Sequence, residues 1–240
     1  MKNILIVANP RTGSTYLSQI VAQYTGYELY NEPWNLANLP MHPKLLEVVY
    51  DTLYEECSTR NDVLVKAHIS HFHHRFFRGC DYIESLNKLK ELEWYTIRLI
   101  RRDLFQAALS LTLAFQTGTW HSPYTQDKVT LDPTTFLNNC VVVYQTHLRR
   151  IVYNDFNFKF DETVIYEDFV YDPRTDFASL DICSVPLESI SPIQVDPRAP
   201  KKKEIIENYD ELQQIALDYA KTLNDDRIIL DGFYAKEIIL

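Results

Sequence analysis

Short apolar runs alternate with longer amphipathic stretches along this chain. Residues 4–8 (ILIVA), 62–67 (DVLVKA) and 94–100 (WYTIRLI) are compact and mostly apolar, and turn formers or charges bound them. Runs of that length suit strands buried on both faces, as in a parallel sheet. Residues 27–30 and 162–166 read as further strands. Between them the spacing changes to that of a helix. Leu17, Ile20, Val21 and Tyr24 share one face, as do Leu45, Leu46, Val49, Leu53 and Tyr54 within 43–57. Residues 86–92 predict a short helix. Leu104, Ala108, Leu111 and Phe115 predict an apolar stripe stopped by Gly118. Phe136, Cys140, Val143, Tyr144, His147 and Ile151 mark a helix over 133–153, and another is expected over 203–223. Asp231-Gly232 between two apolar runs is a hairpin signal. The alternation predicts an α/β class: a mostly parallel central sheet with flanking helices. With no internal repeat and no clear boundary, a single domain over 1–240 is expected, its weakest seam the Pro-rich stretch at 184–200.

The first run leads into PRTGST (residues 10–15) and then the first helix. Ser14 or Thr15 is expected to cap that helix. Loop amides and a helix N-terminus aimed at one spot cradle an oxyanion. The joint therefore reads as a P-loop-like phosphate-binding loop. A nucleotide-binding Walker loop needs Gly-Lys before its hydroxyl residue. Here one Gly stands alone and a cation, Arg11, opens the loop. The third run offers a second anion site. Arg102 follows the expected strand, and Ser110 lies eight residues on along the next helix. At ~100° per residue Ser110 falls about 120° from the apolar stripe, so it is expected outside the core. Asp103 and Gln106 are spaced as a capping box. An Arg fork and a hydroxyl on one strand–helix unit suit an anionic group.

Composition narrows the picture. The chain has 240 residues and a net charge of −9, which argues against a general nucleic-acid binder. Basic residues still cluster locally at Arg98, Arg101 and Arg102 and at Lys201 to Lys203. The four cysteines, Cys57, Cys80, Cys140 and Cys183, form no CxxC pair and read as free thiols of a reducing compartment. No stretch approaches the ~20 apolar residues of a membrane span, and the run after Lys2 is too short for a signal peptide. A cytoplasmic protein is expected.

The motifs, taken in order, resemble those of sulfotransferases that use 3′-phosphoadenosine 5′-phosphosulfate (PAPS). PRTGSTYL is similar to the family's 5′-phosphosulfate loop, and RRDLFQAALS to its 3′-phosphate motif. VKAH (residues 65–68) resembles the VKTH segment of cytosolic members, and VIYEDFVYDP (164–173) the YEDL-type segment. RRDLFQAALSL…FQTGTWH further resembles the bacterial trehalose (Stf-type) branch. KKKEIIENYDEL (201–212) is loosely similar to the late cofactor-contacting segment.

That resemblance implies transfer of a sulfuryl group from PAPS to an acceptor hydroxyl or amine, with 3′,5′-adenosine bisphosphate (PAP) as product. It implies that Thr12, Gly13, Ser14, Thr15 and Tyr16, with Arg11, hold the 5′-phosphosulfate. Arg102 and Ser110 would hold the 3′-phosphate, with Arg101, Arg198, Lys201 and Lys202 nearby. Arg11 stands where the family usually has Lys, trading a point charge for a fork. Lys66 is a second candidate for charge on the bridging oxygen. Two residues compete as general base: His68, by likeness to cytosolic members, and Glu32 in NEPWN, by likeness to the bacterial branch.

No metal is expected: sulfate carries less charge than phosphate, and no acidic cluster accompanies the loop. His68, His71, His73 and His74 lack a Cys or Asp at ligand spacing. His71 and Phe72 are better placed as acceptor-site residues, and Trp34 and Trp120 as walls of that pocket. The acceptor is expected to be a small molecule. The bacterial branch suggests a carbohydrate and a homodimer, while neither nucleic acid nor a membrane span is expected. The alternatives are a P-loop-like small-molecule or nucleotide kinase and a non-catalytic module binding adenosine bisphosphate.

Overall fold

In the computed structural model, residues 3–33, 62–68, 82–118, 128–152, 158–171, 202–225, 228–230 and 233–234 are described. They fall into two compact units: Met1–Ile100 with Tyr153–Ser191, and Arg101–Val152 with Pro192–Leu240.

The first unit holds five parallel strands: β1 (Ile4–Ala8), β2 (Glu28–Asn31), β3 (Val63–His68), β4 (Tyr95–Ile100) and β5 (Glu162–Ile165). Their order is β2-β3-β1-β4-β5. Every residue of β1 is buried, as expected for a central strand covered on both faces. Helix α1 (Ser14–Thr25) buries the expected Leu17, Ile20, Val21 and Tyr24 and ends at Gly26, in the left-handed region. Helix α2 spans Tyr82–Glu91, starting before the expected 86–92, with Leu86 and Leu89 buried on its inner face. In this order the connection out of β1 runs past β3 to β2, and the one out of its other neighbour, β4, runs the opposite way to β5, so the two diverge between β1 and β4. At such a switch point the loops at the carboxyl ends of the strands part and leave room for a ligand.

The second unit is built on α3 (Leu104–Thr117). Asp103 caps it, its Oδ1 accepting from the Gln106 N–H at 3.0 Å. The residues from Leu104 to Ala114 are buried save Gln106, so the helix is covered nearly all round. Phe105 meets Phe136 and Tyr209 edge-on at 5.9 and 5.1 Å between ring centroids. Helix α4 (Pro133–Val142) starts with Pro at its first turn and Asp132 as cap. The expected helix to 153 continues only in a wider form, a π-helix over Val143–Val152. A helix α5 (Tyr166–Tyr171) follows β5 in the first unit, while α6 (Lys202–Ile205) and α7 (Tyr209–Leu223) belong to the second. The expected hairpin is present as antiparallel β6 (Ile229–Leu230) and β7 (Phe233–Tyr234).

Cys140 is a free thiol buried in the second unit, and burial pushes its pKa up to about 12. Among the described residues no helix is long and apolar enough to cross a membrane. The stretches 43–57 and 184–200 lie outside the described residues.

Candidate active site

The loop after β1 is set by local bonds. Thr12, buried, donates its hydroxyl to the Asn9 carbonyl at 2.6 Å and closes the turn. Arg11 (φ 64°) and Gly13 (φ 83°) both lie in the left-handed region. Gly13 reaches it without steric cost; for Arg11 the same conformation costs about 1 kcal/mol or more. α1 begins at Ser14 with Gly13 as its N-cap, and no side chain caps it. The expectation that Ser14 or Thr15 would cap the helix is therefore corrected: both already lie within its first turn. The left-handed Gly13 takes the cap position, and the amides of that turn are given no side-chain cap.

Gly13 has a second constraint that the sequence did not announce. A Cβ there would lie 2.4 Å from Cδ2 and Cε2 of Tyr166, whose ring rests on the loop. Tyr166 opens α5 directly after β5, so a strand distant in sequence backs the loop. Nearby, Tyr16 packs on Phe169 at 5.3 Å between centroids. Burial, and then Tyr166, push the Tyr16 phenol above its ordinary range.

The neighbouring strand brings the charged residues. Register places Ala8 beside His68 and Asn31 beside Lys66. Side chains of one strand alternate, so Lys66 and His68 share a face. The ladder runs one residue past β2: the Glu32 N–H donates to the Lys66 carbonyl at 2.8 Å. Glu32, at φ 54°, is left-handed just before Pro33, a costly conformation for a residue in that position. Its carboxylate accepts a short hydrogen bond from the Lys66 ammonium. His68 Nε2 lies 3.4 Å from the same Oε1. Lys66 Nζ is also 3.5 Å from the Thr15 hydroxyl in the first turn of α1. Lys66 is 1% exposed; burial lowers its pKa from the ordinary 10.5, and the Glu32 bond and charge hold it up in part.

Lys66, His68, Glu32 and Thr15 are thus brought together beside the loop that carries Arg11, Thr12, Gly13, Ser14 and Tyr16. In the second unit Arg101 and Ser110 are buried and Arg102 is half-buried. Ser110 corrects the expectation that it lies outside the core, being only 5% exposed. Phe115, expected on the apolar stripe, is instead 59% exposed. Lys202 donates to the backbone carbonyl of Gln106 at 3.0 Å and to its Oε1 at 3.2 Å, and Gln106 donates to the Tyr209 hydroxyl at 2.9 Å. Trp34, His71, Phe72, Trp120, Arg198 and Lys201 lie outside the described residues, as do His73 and His74. Among the described residues no group of three His, Cys, Asp or Glu side chains is arranged to hold a metal ion.

Chemically, the first-unit cluster joins an ammonium, a carboxylate, an imidazole and a hydroxyl to a loop of oriented amides. Such a set can bind an oxyanion, stabilise charge on a leaving oxygen and accept a proton.

No family model and no curated protein matches the chain. Solved structures similar to it include mouse sulfotransferase SULT7A1 complexed with PAP, at 13% identity over 92% of this chain and 88% of that one, with a TM-score of 0.47. A sulfotransferase from Alicyclobacillus acidocaldarius shares 10% identity over 92% of each chain, with a TM-score of 0.41. A gluconokinase from Sinorhizobium meliloti 1021 shares 12% identity over 74% of this chain and 91% of that one, with a TM-score of 0.39.

Proposed function

We propose that the protein is a sulfotransferase that moves a sulfuryl group from PAPS to the hydroxyl or amine of a small acceptor. The observation that carries the reading is the meeting of Lys66, Glu32 and Thr15 at the loop PRTGST. An anion-binding loop, a buried cation and a proton acceptor stand side by side there, with no Walker Lys. Sequence motifs for the two anionic ends of PAPS support it independently.

The donor supplies an activated sulfuryl group whose leaving oxygen belongs to a phosphate. The chain's own residues do the rest. Loop amides, Ser14 and Thr15 bind the 5′ end, and Arg11 and Lys66 face the charge that develops on the leaving oxygen. Glu32 accepts the proton that the acceptor loses as its oxygen or nitrogen bonds to sulfur, and His68 stands beside that carboxylate. Arg102 and Ser110 are assigned to the 3′-phosphate by the motif they resemble. The acceptor is left to the class that the bacterial branch suggests, a carbohydrate, and the same likeness makes a homodimer the proposed assembly.

The test is transfer of ³⁵S from labelled PAPS to a panel of sugars, phenols and amines. Labelled product that needs no Mg²⁺ supports the reading. Phosphorylated product from ATP with Mg²⁺, and none from PAPS, would replace it with a kinase.

A further inference from the structure

Lys66 stands between two places for negative charge. Its ammonium bonds the Glu32 carboxylate, and its Nζ lies 3.5 Å from the Thr15 hydroxyl, in the loop's helical turn. The residue is buried, and a buried ammonium needs an anion beside it. A lysine head is a compact charge on a flexible stem, so the same group can serve either neighbour by a small swing. Lys66 and His68, both from β3, are among the titratable groups that bear on Glu32. A carboxylate oxygen engaged by an ammonium accepts a proton poorly, because the pair must open first.

We infer that Lys66 is a shared cation that couples anion binding in the loop to release of Glu32. An anion seated against Thr15 draws the ammonium toward itself and leaves the Glu32 carboxylate, beside His68, without that cation and ready to take the acceptor's proton. Loading of the loop then arms the base, and an acceptor that arrives first meets a carboxylate still tied to Lys66. This rests on the reading of the loop as the 5′-phosphosulfate site, and it adds an order of events to that reading.

The consequence is a binding effect opposite to that of a supporting residue. Glu32 competes with the loop anion for Lys66, so weakening its claim should tighten anion binding. The test is a double-mutant cycle of PAP affinity, measured by calorimetry at one ionic strength, on the wild-type chain, Glu32→Gln, Lys66→Met and the double variant. Glu32→Gln should tighten PAP by about fivefold when Lys66 is present and change it little in the Lys66→Met background. The same tightening in both backgrounds would be simple removal of repulsion and would overturn the inference, as would weaker binding by Glu32→Gln. Should Lys66→Met fail to fold, the ¹³Cδ signal of Glu32 in glutamate-labelled wild-type protein, identified by its loss in Glu32→Gln, serves instead. It should shift on addition of PAP, and an unmoved signal would overturn the coupling. If the wild-type chain binds no PAP, the phosphosulfate reading itself falls and takes the coupling with it; PAP bound with an additive cycle removes the coupling alone.

Discussion

Glu32 is tied to Lys66 at both ends: its backbone N–H donates to the Lys66 carbonyl at 2.8 Å, and its carboxylate takes the Lys66 ammonium. The first bond extends the β2–β3 ladder and fixes where the side chain starts. The second fixes where it ends. Together they hold a left-handed residue before a proline in a conformation it would not choose alone. Removing the carboxylate leaves a buried ammonium without that counter-ion. Glu32→Ala should therefore cost about 3 kcal/mol in urea unfolding, whereas Lys66→Met placed in the Glu32→Gln chain should cost clearly less. Equal costs would mean the pair does not hold the strand ends.

Lys66 also gives stability a pH dependence of defined sign. Burial lowers its folded-state pKa below the ordinary 10.5 despite Glu32. Between those two values the unfolded chain binds more protons, so this residue's contribution rises with pH there. Wild-type minus Lys66→Met stability, from urea titrations across the alkaline range, should increase toward pH 10.5. A falling difference would contradict the sign.

Asp161 predicts the behaviour at the acid end. Burial alone would raise its pKa, but bonds from the Lys90 ammonium and from the Thr96 N–H and hydroxyl outweigh it and hold it below 3.8. Stability from this group is present above the ordinary carboxylate range and is lost as pH falls through the folded value. Asp161→Asn should reduce stability at neutral pH by roughly 1–2 kcal/mol, with the difference from wild type shrinking in acid. A difference that stays constant down to pH 2–3, well below the ordinary carboxylate range, would count against the pairing.

Gly13 and Gly26 separate two costs. Both are left-handed, with φ 83° and 71°, but only at Gly13 would a Cβ meet another residue, the Tyr166 ring. Gly26→Ala should cost about 1 kcal/mol for backbone conformation alone. Gly13→Ala should cost roughly 1–3 kcal/mol more, and Tyr166→Ala in the same chain should recover part of it. Matching losses at the two glycines would show that Tyr166 yields freely.

Arg102 tests the second anion site. Arg102→Ala should weaken PAP by roughly 1–3 kcal/mol in calorimetry, the scale of a charge-assisted hydrogen bond. Unchanged affinity would mean the 3′-phosphate lies elsewhere.

Much of this was legible from residue patterns. The three inner strands, β1, β3 and β4, are plain in the sequence, because a buried strand leaves a short dense apolar run, as Ile4–Ala8 does, whereas the edge strands Glu28–Asn31 and Glu162–Ile165 are half-exposed and carry a weaker signal. PRTGST, Lys66, His68 and Glu32 are assigned to one reaction centre from the sequence, but the pairing of Glu32 with Lys66 is not legible there. It depends on the order β2-β3-β1, which places Asn31 beside Lys66 and Ala8 beside His68. Tyr166 escaped notice as the backing of Gly13 because no local pattern links residues so far apart. Ser110 and Phe115 were misjudged for one reason. A stripe taken every three or four residues assumes one buried face, whereas LFQAALSLTLA carries small or apolar residues on nearly every side and is buried there save at Gln106, while Phe115 sits at the exposed end.

The most direct test of the central claim is calorimetric titration of the wild-type chain with PAP and, separately, with ATP and Mg²⁺. The account predicts PAP binding in the micromolar range, unaffected by chelation of divalent metal, with ATP far weaker. ATP binding that needs Mg²⁺, with no heat from PAP, would contradict it.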